Sequence, residues 1–123
     1  MRQVDHVMVG GAGSSGSRTH KIWNPSTGEV QAEVALGDAA LLNKAVEAAR
    51  KVQPEWAAMN PQKRARVMFR YKELIEANMQ ELAELLSSEH GKVIDDAKGD
   101  VQRGLEVIEY ACGIPQVLKG EYT

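Results

Sequence analysis

Cysteine and long apolar runs are the two features that this 123-residue sequence has least of. Its single cysteine, Cys112, excludes an internal disulfide framework and a cysteine-rich zinc site, and it fits a reducing compartment. No apolar run approaches the roughly 18 residues of a membrane-spanning helix, and Asp5 and His6 fall where a signal peptide would be continuously apolar. We therefore expect a soluble, cytoplasmic chain that does not bind membranes.

Excess charge and aromatic residues are also scarce. The 15 lysines and arginines oppose 17 acidic residues, so the net charge of −2 does not attract polyanions, and nucleic acid is not an expected partner. One phenylalanine and two tryptophans supply few large side chains for a core that must offset the entropy of ordering the chain. The composition therefore predicts an incomplete domain, the N-terminal piece of something larger.

The first third of the chain is rich in strand-forming residues and turns. Strand candidates are Val4–Val9, His20–Trp23 and Val30–Leu36. Between the last two, the segment Asn-Pro-Ser-Thr-Gly at 24–28 predicts a turn, because proline presets φ, asparagine bonds its own backbone and glycine accepts a positive φ. We expect short β-hairpins over residues 1–37.

From residue 38 to 123 the apolar spacing becomes helical and predicts three amphipathic helices. Asp38 is an N-cap candidate, and Asn60 is another, with Pro61 at the first helical position. The predicted helices run from Asp38 to Pro54 or shortly beyond, from Asn60 to Gly91, and from Ile94 to Cys112. The apolar stripe of the second helix contains Val67, Met68, Tyr71, Leu74, Ile75, Met79, Leu82, Leu85 and Leu86, and that of the third contains Ile94, Ala97, Val101, Leu105, Ile108, Ala111 and Cys112.

The segment Gly-Ala-Gly-Ser-Ser-Gly at 11–16 has the spacing of a dinucleotide-binding fingerprint. That fingerprint must open a helix whose N-terminal N–H groups meet the pyrophosphate. Here strand-forming Thr19, Ile22 and Trp23 follow, and Pro25 prevents a helix from continuing. We therefore interpret the segment as a flexible hairpin connection and expect no cofactor-binding residues in it.

Four other charged or reactive groups favour a structural interpretation. The basic segment Lys63–Lys72 is predicted to form the outer face of an amphipathic helix, with Lys63, Arg66 and Arg70 opposite Val67, Tyr71 and Leu74, and with its arginines paired to acids of neighbouring helices. Asp96 and Asp100 share a helical face but lack a third ligand, and Lys98 and Arg103 are closer neutralising partners, so no metal is expected.

His90, next to Glu89, lies at a helix C-terminus, where its polar ring is structurally useful. Cys112 lies on an apolar stripe, with no nearby base to form a thiolate, and is expected to be a buried small hydrophobic residue.

Arg103 is the strongest binding candidate. Gly99 and Gly104 flank it within a helix, where glycine costs about 0.8–1 kcal/mol relative to alanine, so they suggest close approach by another backbone or a ligand. A guanidinium there binds a carboxylate bidentately. The alternative from the residues alone is a surface ion pair with Asp100 or Glu106.

The segment NPSTGEV and residues 64–123 resemble the N-terminal portion of the aldehyde dehydrogenase superfamily. Within it, GDVQRGLEVIEYACGIP followed by KGEY is similar to the methylmalonate-semialdehyde dehydrogenases, the CoA-acylating branch. The resemblance covers about 22–123. It implies an α/β parent fold in which the early strands form the N-terminal hairpin and pack on the larger cofactor and oligomerisation parts.

The resemblance also implies an NAD-dependent oxidoreductase that oxidises methylmalonate or malonate semialdehyde to an acyl-CoA, with loss of CO2. The family's nucleophilic cysteine, oxyanion asparagine and Rossmann loop lie beyond Thr123, and Cys112 does not correspond to the nucleophile. No catalytic residue is therefore expected here, and this chain alone is expected to be inactive. Arg103 matches the helix arginine that pairs with the substrate carboxylate. The implied partners are the remainder of the parent chain and further copies in a homo-oligomer.

A second hypothesis is a stand-alone helical module that oligomerises through the exposed stripe Leu74, Ile75, Leu82 and Leu85. An isolated amphipathic surface of this kind favours association. Continuation of the reading frame beyond Thr123 would distinguish the two hypotheses.

Overall fold

The computed structural model describes residues 1–8, 13–14 and 18–121, which form two compact units, 1–57 and from 58 onward. The strands in the described ranges are β1 Arg2–Val4, β2 His6–Val7, β3 Gly13–Ser14, β4 Arg18–Asn24 and β5 Glu29–Leu36. The helices are α1 Ala39–Ala58, α2 Pro61–Ala77, α3 Met79–His90, α4 Ile94–Cys112 and α5 Ile114–Val117. Strands followed by helices confirm the predicted order of structure in this segment.

In the first unit, β5 is the central strand of a three-stranded sheet. It pairs antiparallel with β4 and parallel with β1, in the order β1-β5-β4. Ala32 and Ala35 of β5 are buried. The expected strand Val4–Val9 is divided at Asp5: β1 joins β5, whereas β2 pairs with β3 in a separate two-stranded ladder.

The predicted turn at 24–28 is confirmed. The Asn24 side chain accepts a hydrogen bond from the Ser26 N–H at 2.9 Å, and the Gly28 N–H donates to the Asn24 carbonyl at 2.8 Å. Gly28 has a φ of 72°, in the left-handed region that L residues rarely adopt. The turn is thus followed by the antiparallel pairs Asn24–Glu29 and Trp23–Val30, and the register of β4 and β5 shifts between Trp23 and Ile22.

Helix α1 follows the sheet. Its N-terminus is capped as predicted: Asp38 Oδ1 accepts the Leu41 N–H at 2.8 Å. The helix passes through Pro54 and ends at Ala58, within the predicted range. All of its residues are described and none of them is buried. Its large apolar side chains Leu42, Val46, Val52 and Trp56 are exposed.

In the second unit, α4 packs against both α2 and α3. The buried residues of the three helices are Ala65, Ala83, Ala97, Leu105 and Cys112. Every position of the predicted stripe on α4 is buried or half-buried, and Lys98 and Asp100 are half-buried as well. The third predicted helix is confirmed. The core of this unit is built mostly from small side chains.

The prediction of one helix from Asn60 to Gly91 is wrong at its middle. The N-cap is as expected, with Asn60 Oδ1 accepting the Gln62 N–H at 2.9 Å, but the helix is interrupted at Asn78. There the backbone leaves helical geometry (φ −114°, ψ 18°), and the Asn78 side chain donates to the Leu74 carbonyl at 2.7 Å. An asparagine that bonds the backbone in this way competes with the helix. The predicted end at Gly91 is confirmed by its φ of 86°.

The predicted apolar stripe of α2 is only partly the packed face. Ala65 is buried and Met68 and Ile75 are half-buried, whereas Val67, Tyr71 and Leu74 are exposed. These three exposed residues line a shallow hollow of about 540 Å³ together with Arg66 and Arg70. The expected separation of arginines on one face from these apolar side chains on the other is therefore wrong.

Candidate functional site

Arg103 lies on α4 with its side chain 77% exposed. Its Nη1 donates to Asp100 Oδ1 at 2.9 Å, one helical turn earlier. Of the two ion-pair partners left open by the sequence, Asp100 and Glu106, the structure therefore has Asp100. The single bond leaves most of the guanidinium edge directed to solvent, where a carboxylate ligand could be bound.

Lys92 completes a charged cluster with Asp96, Asp100 and Arg103. Lys92 Nζ donates to Asp96 Oδ2 at 2.9 Å and also to Asp100 Oδ2. Its side chain is only 15% exposed, although it precedes the helix. Lys92 was not among the neutralising partners expected from the sequence, which were Lys98 and Arg103. The available signal was spacing, because Lys92 is four residues before Asp96 and eight before Asp100, on one face if the helical winding is extended backwards.

Within the cluster, the pKa values of Asp100 and Lys92 are shifted in opposite directions. The hydrogen bond from Lys92 holds the pKa of Asp100 below its ordinary value, and the charges of Lys92, Arg103 and His90 reinforce it, while burial acts the other way. The bonds to Asp100 and Asp96 raise the pKa of Lys92 against the effect of burial. At neutral pH, Asp100 is therefore a carboxylate that bridges two cations.

The glycines beside Arg103 face open space. A Cβ added at Gly99 or Gly104 would meet no atom of the described chain within 4 Å. The close approach by a backbone or a ligand that these glycines suggest is thus not made by the described part of this chain. The surface around Arg103 is accessible for contact from outside the segment.

The other sequence candidates lie at structural positions. Cys112 is buried, as predicted. Asp96 and Asp100 are both engaged by Lys92. Within residues 1–8, 13–14 and 18–121, no three His, Cys, Asp or Glu side chains are grouped so that they could hold a metal ion. His90 is the exposed last residue of α3. Cys112 therefore contributes to packing, and the two aspartates form ion pairs.

The basic segment Lys63–Lys72 is partly paired. Arg70 bonds Glu73 of its own helix at 3.0 Å, so its expected pairing to a neighbouring helix is wrong. The contact between helices is made by Lys72, whose Nζ lies 2.5 Å from a Glu76 carboxylate oxygen and 3.4 Å from one of Glu109 on α4. Both carboxylates raise the pKa of Lys72, with the Glu76 hydrogen bond as the largest cause. Lys72 thus links α2 to α4.

Most of the glycine-rich segment 11–16 lies outside the described residues. Its described part, Gly13–Ser14, pairs antiparallel with His6–Val7. The next described element is the strand β4, beginning at Arg18, whereas a dinucleotide fingerprint requires a helix. The described residues after the segment therefore do not fit a pyrophosphate site.

The first unit contains a separate hollow of about 770 Å³, lined mainly by apolar residues between β2 and the start of α1. The buried Nε2 of His6 has no hydrogen-bond partner among the described residues. Arg18 and Asp38 are the charged residues that line the hollow.

No helix in the described ranges is both long enough and apolar enough to cross a bilayer.

Comparison with known proteins identifies the family. The sequence model described as the aldehyde dehydrogenase family matches residues 12–123. A malonate-semialdehyde dehydrogenase of Pseudomonas aeruginosa is 43% identical over 123 residues, which is 100% of this chain and 25% of the relative. Malonate-semialdehyde dehydrogenase 3 of Geobacillus kaustophilus is 43% identical over 108 residues, or 88% of this chain and 22% of the relative. The chain thus spans about a quarter of the length of these curated relatives.

Solved structures agree in fold. The methylmalonate-semialdehyde dehydrogenase of Oceanimonas doudoroffii superposes with a TM-score of 0.94 at 42% identity, over 98% of this chain and 25% of that one. A Sinorhizobium meliloti protein assigned as methylmalonate-semialdehyde dehydrogenase and complexed with NAD gives 0.93 at 53% identity, over 100% and 25%. These matches confirm the resemblance to a portion of such enzymes and the parent fold that it implies. The chain therefore belongs to the aldehyde dehydrogenase family.

Proposed function

We propose that this chain is the N-terminal part of an NAD-dependent, CoA-acylating dehydrogenase that acts on methylmalonate or malonate semialdehyde. In the proposed reaction the semialdehyde and CoA give an acyl-CoA with release of CO2, and NAD supplies the hydride acceptor when bound. The proposal is supported by the family membership and by the names of the relatives. A cytoplasmic location is part of it and rests on the lone cysteine.

The proposed role of this segment is to bind the substrate carboxylate through Arg103. The observation that carries this role is the exposed guanidinium, held by one bond to Asp100 and surrounded by open space at both flanking glycines. Arginine presents donors in a planar fork that matches a carboxylate. Its positive charge also favours a semialdehyde acid over an uncharged aldehyde of similar size.

The described residues of this chain do not supply the chemical step. Nucleophilic catalysis by a thiolate needs an accessible, activated cysteine, whereas Cys112 is buried. The described element that follows the glycine-rich segment is the strand β4, whereas an NAD-binding fingerprint requires a helix. The nucleophile and the groups that bind NAD and CoA are therefore assigned to the remainder of the parent chain.

The apolar surface of the segment is consistent with such a remainder. Val67, Tyr71 and Leu74 of α2 are exposed beside one another, and no residue of α1 is buried. We assign the cover of these surfaces to the rest of the enzyme. The alternative, a module that oligomerises through the stripe containing Leu74 and Leu85, uses some of the same exposed residues.

The proposal is tested in the complete enzyme that contains this segment, by following NADH formation with CoA. The substitution Arg103→Lys keeps the charge but removes the bidentate fork. We expect the KM for malonate semialdehyde to rise about tenfold, the loss of one charge-assisted bond, while propanal is oxidised with unchanged kinetics. Glu106→Gln, one turn further along α4, is the matched control and should change neither substrate.

Two results would contradict the proposal. Equal losses on malonate semialdehyde and propanal would reject the carboxylate role of Arg103. Absence of CoA-dependent NADH formation in the unsubstituted enzyme would reject the activity itself.

A further inference from the structure

The two carboxylate oxygens of Asp100 bind two different cations. Oδ2 accepts the bond from Lys92, and Oδ1 accepts the bond from Arg103. With one oxygen fixed by Lys92, the carboxylate plane is held, and Oδ1 is directed to the position where Arg103 meets it. An isolated pair on a helix surface would lack this restraint.

The exposure of the three side chains increases along the chain of contacts. Lys92 is 15% exposed, Asp100 36% and Arg103 77%. Lys92 is also fixed from a second side by Asp96, at 2.9 Å. Lys92, the least exposed residue of the network, is thus held by two ion pairs, and Arg103 is its most exposed residue.

The contact with Arg103 uses one guanidinium nitrogen. The structure gives Nη1 of Arg103 a partner in Asp100, and the guanidinium carries five N–H donors in a fixed fork. A carboxylate that binds one guanidinium nitrogen restricts the rotamers of the arginine side chain. It also leaves another edge of the guanidinium available to a second carboxylate. Because Asp100 contacts only Nη1 and its other oxygen is bound by Lys92, the outer edge of the Arg103 guanidinium is available to a second carboxylate.

We propose that Asp100 is a positioning residue for Arg103, locked in place by Lys92, so that the guanidinium is preorganised to bind the carboxylate of the substrate. This inference rests on the proposed function and adds two residues to it. Asp100 and Lys92 act through Arg103 and do not touch the substrate themselves.

The test uses the complete enzyme with malonate semialdehyde and propanal as the two substrates. Asp100→Asn keeps the size of the side chain but removes its charge. We expect the KM for malonate semialdehyde to rise about fivefold, the range of one hydrogen bond, with kcat unchanged and with propanal unaffected. Lys92→Met should act in the same direction, Asp100→Glu should recover part of the lost affinity, and Glu106→Gln should have no effect.

A double-variant cycle distinguishes positioning from general stability. In an Arg103→Met enzyme, the further change Asp100→Asn should leave both KM values where they are, because its effect passes through Arg103. An additional loss in that background, or an equal loss on propanal, would overturn the inference. Melting temperatures identify any variant that fails to fold. If Asp100→Asn is such a variant, Lys92→Met replaces it in the double-variant cycle.

Failure of the inference and failure of the proposed function give different results. If Arg103→Met raises the KM selectively for malonate semialdehyde but Asp100→Asn and Lys92→Met do not, only the positioning role is rejected. If Arg103→Met has no selective effect, the carboxylate-binding function is rejected, and the positioning role with it.

Discussion

At the scale of single residues, Asp100 is the centre of the charged cluster on α4. It is bonded by Lys92 and Arg103, and these cations hold its pKa below the ordinary value. Lys92 has the opposite shift, since two carboxylates stabilise its charged form. The pair therefore remains ionised over a wider pH range than either group would in the unfolded chain.

These shifts predict a pH-dependent contribution to stability. A lowered aspartate pKa stabilises the fold above the ordinary pKa, and the contribution is lost as pH falls through the folded value. Asp100→Asn should therefore lower the free energy of unfolding of the chain at neutral pH, and its difference from the parent sequence should disappear in acid. Urea unfolding at a series of pH values measures this.

Lys92→Met provides the control for that prediction. Without Lys92, the main cause of the Asp100 shift is gone, so the pH-dependent effect of Asp100→Asn should shrink. A difference between Asp100→Asn and the parent sequence that stayed constant into acid would show that the carboxylate charge is not responsible.

At the scale of elements, α4 combines a packed apolar stripe with two interior glycines. Ala97, Leu105 and Cys112 are buried against α2 and α3, whereas Gly99 and Gly104 are exposed and have open space at their Cβ positions. Interior glycines weaken a helix because they lose the most backbone entropy on folding. Nothing in the described chain compensates for this cost at these two positions.

We therefore expect Gly104→Ala to stabilise the 123-residue chain by about 1 kcal/mol. Gly28→Ala is the matched comparison with the opposite sign, because its φ of 72° belongs to the left-handed region, and it should destabilise the chain by about 1 kcal/mol. Urea unfolding at one protein concentration measures both. A loss of stability with Gly104→Ala would mean that a close contact exists at this position.

At the scale of the whole molecule, small side chains are buried and large ones are exposed. The buried hydrophobic residues in the described ranges are Ala32, Ala35, Ala65, Ala83, Ala97, Leu105 and Cys112, whereas Trp23, Trp56, Phe69, Tyr71 and Tyr110 are among those that are exposed. Contiguous exposed apolar surface marks sites of interaction or association. Both units therefore have surfaces suited to being covered.

The isolated 123-residue chain should accordingly bind a hydrophobic dye and associate as its concentration rises. Leu74→Gln removes one apolar side chain from the hollow on α2 and should reduce dye binding, whereas Glu73→Gln beside it should not. Dye fluorescence and size-exclusion chromatography with light scattering provide the measurements. A monomeric chain that melts cooperatively and binds no dye would contradict this expectation.

Local signals in the sequence were sufficient for the turn at 24–28 and for the N-termini of α1 and α2. Asp38, Asn60 and Gly28 each act through bonds or backbone angles within a few residues of themselves, so their roles were predictable. The break between α2 and α3 at Asn78 was not predicted, because the apolar pattern continues through this position. What distinguishes Asn78 is one hydrogen bond from its side chain to the helix backbone. The pairing of β1 with β5 was also missed, since parallel partners lie far apart in sequence.

The sequence by itself determined the order of strands and helices, the caps and turns, the family resemblance and the identity of Arg103 as a candidate, because these depend on short-range spacing and on residue type. Only the tertiary structure decided which half of the α2 stripe is packed and that Lys92 bridges Asp96 and Asp100. The physical reason is the same in both cases. Burial and charge pairing depend on which surfaces meet in space, and local spacing does not specify that for a chain whose large apolar side chains are still exposed.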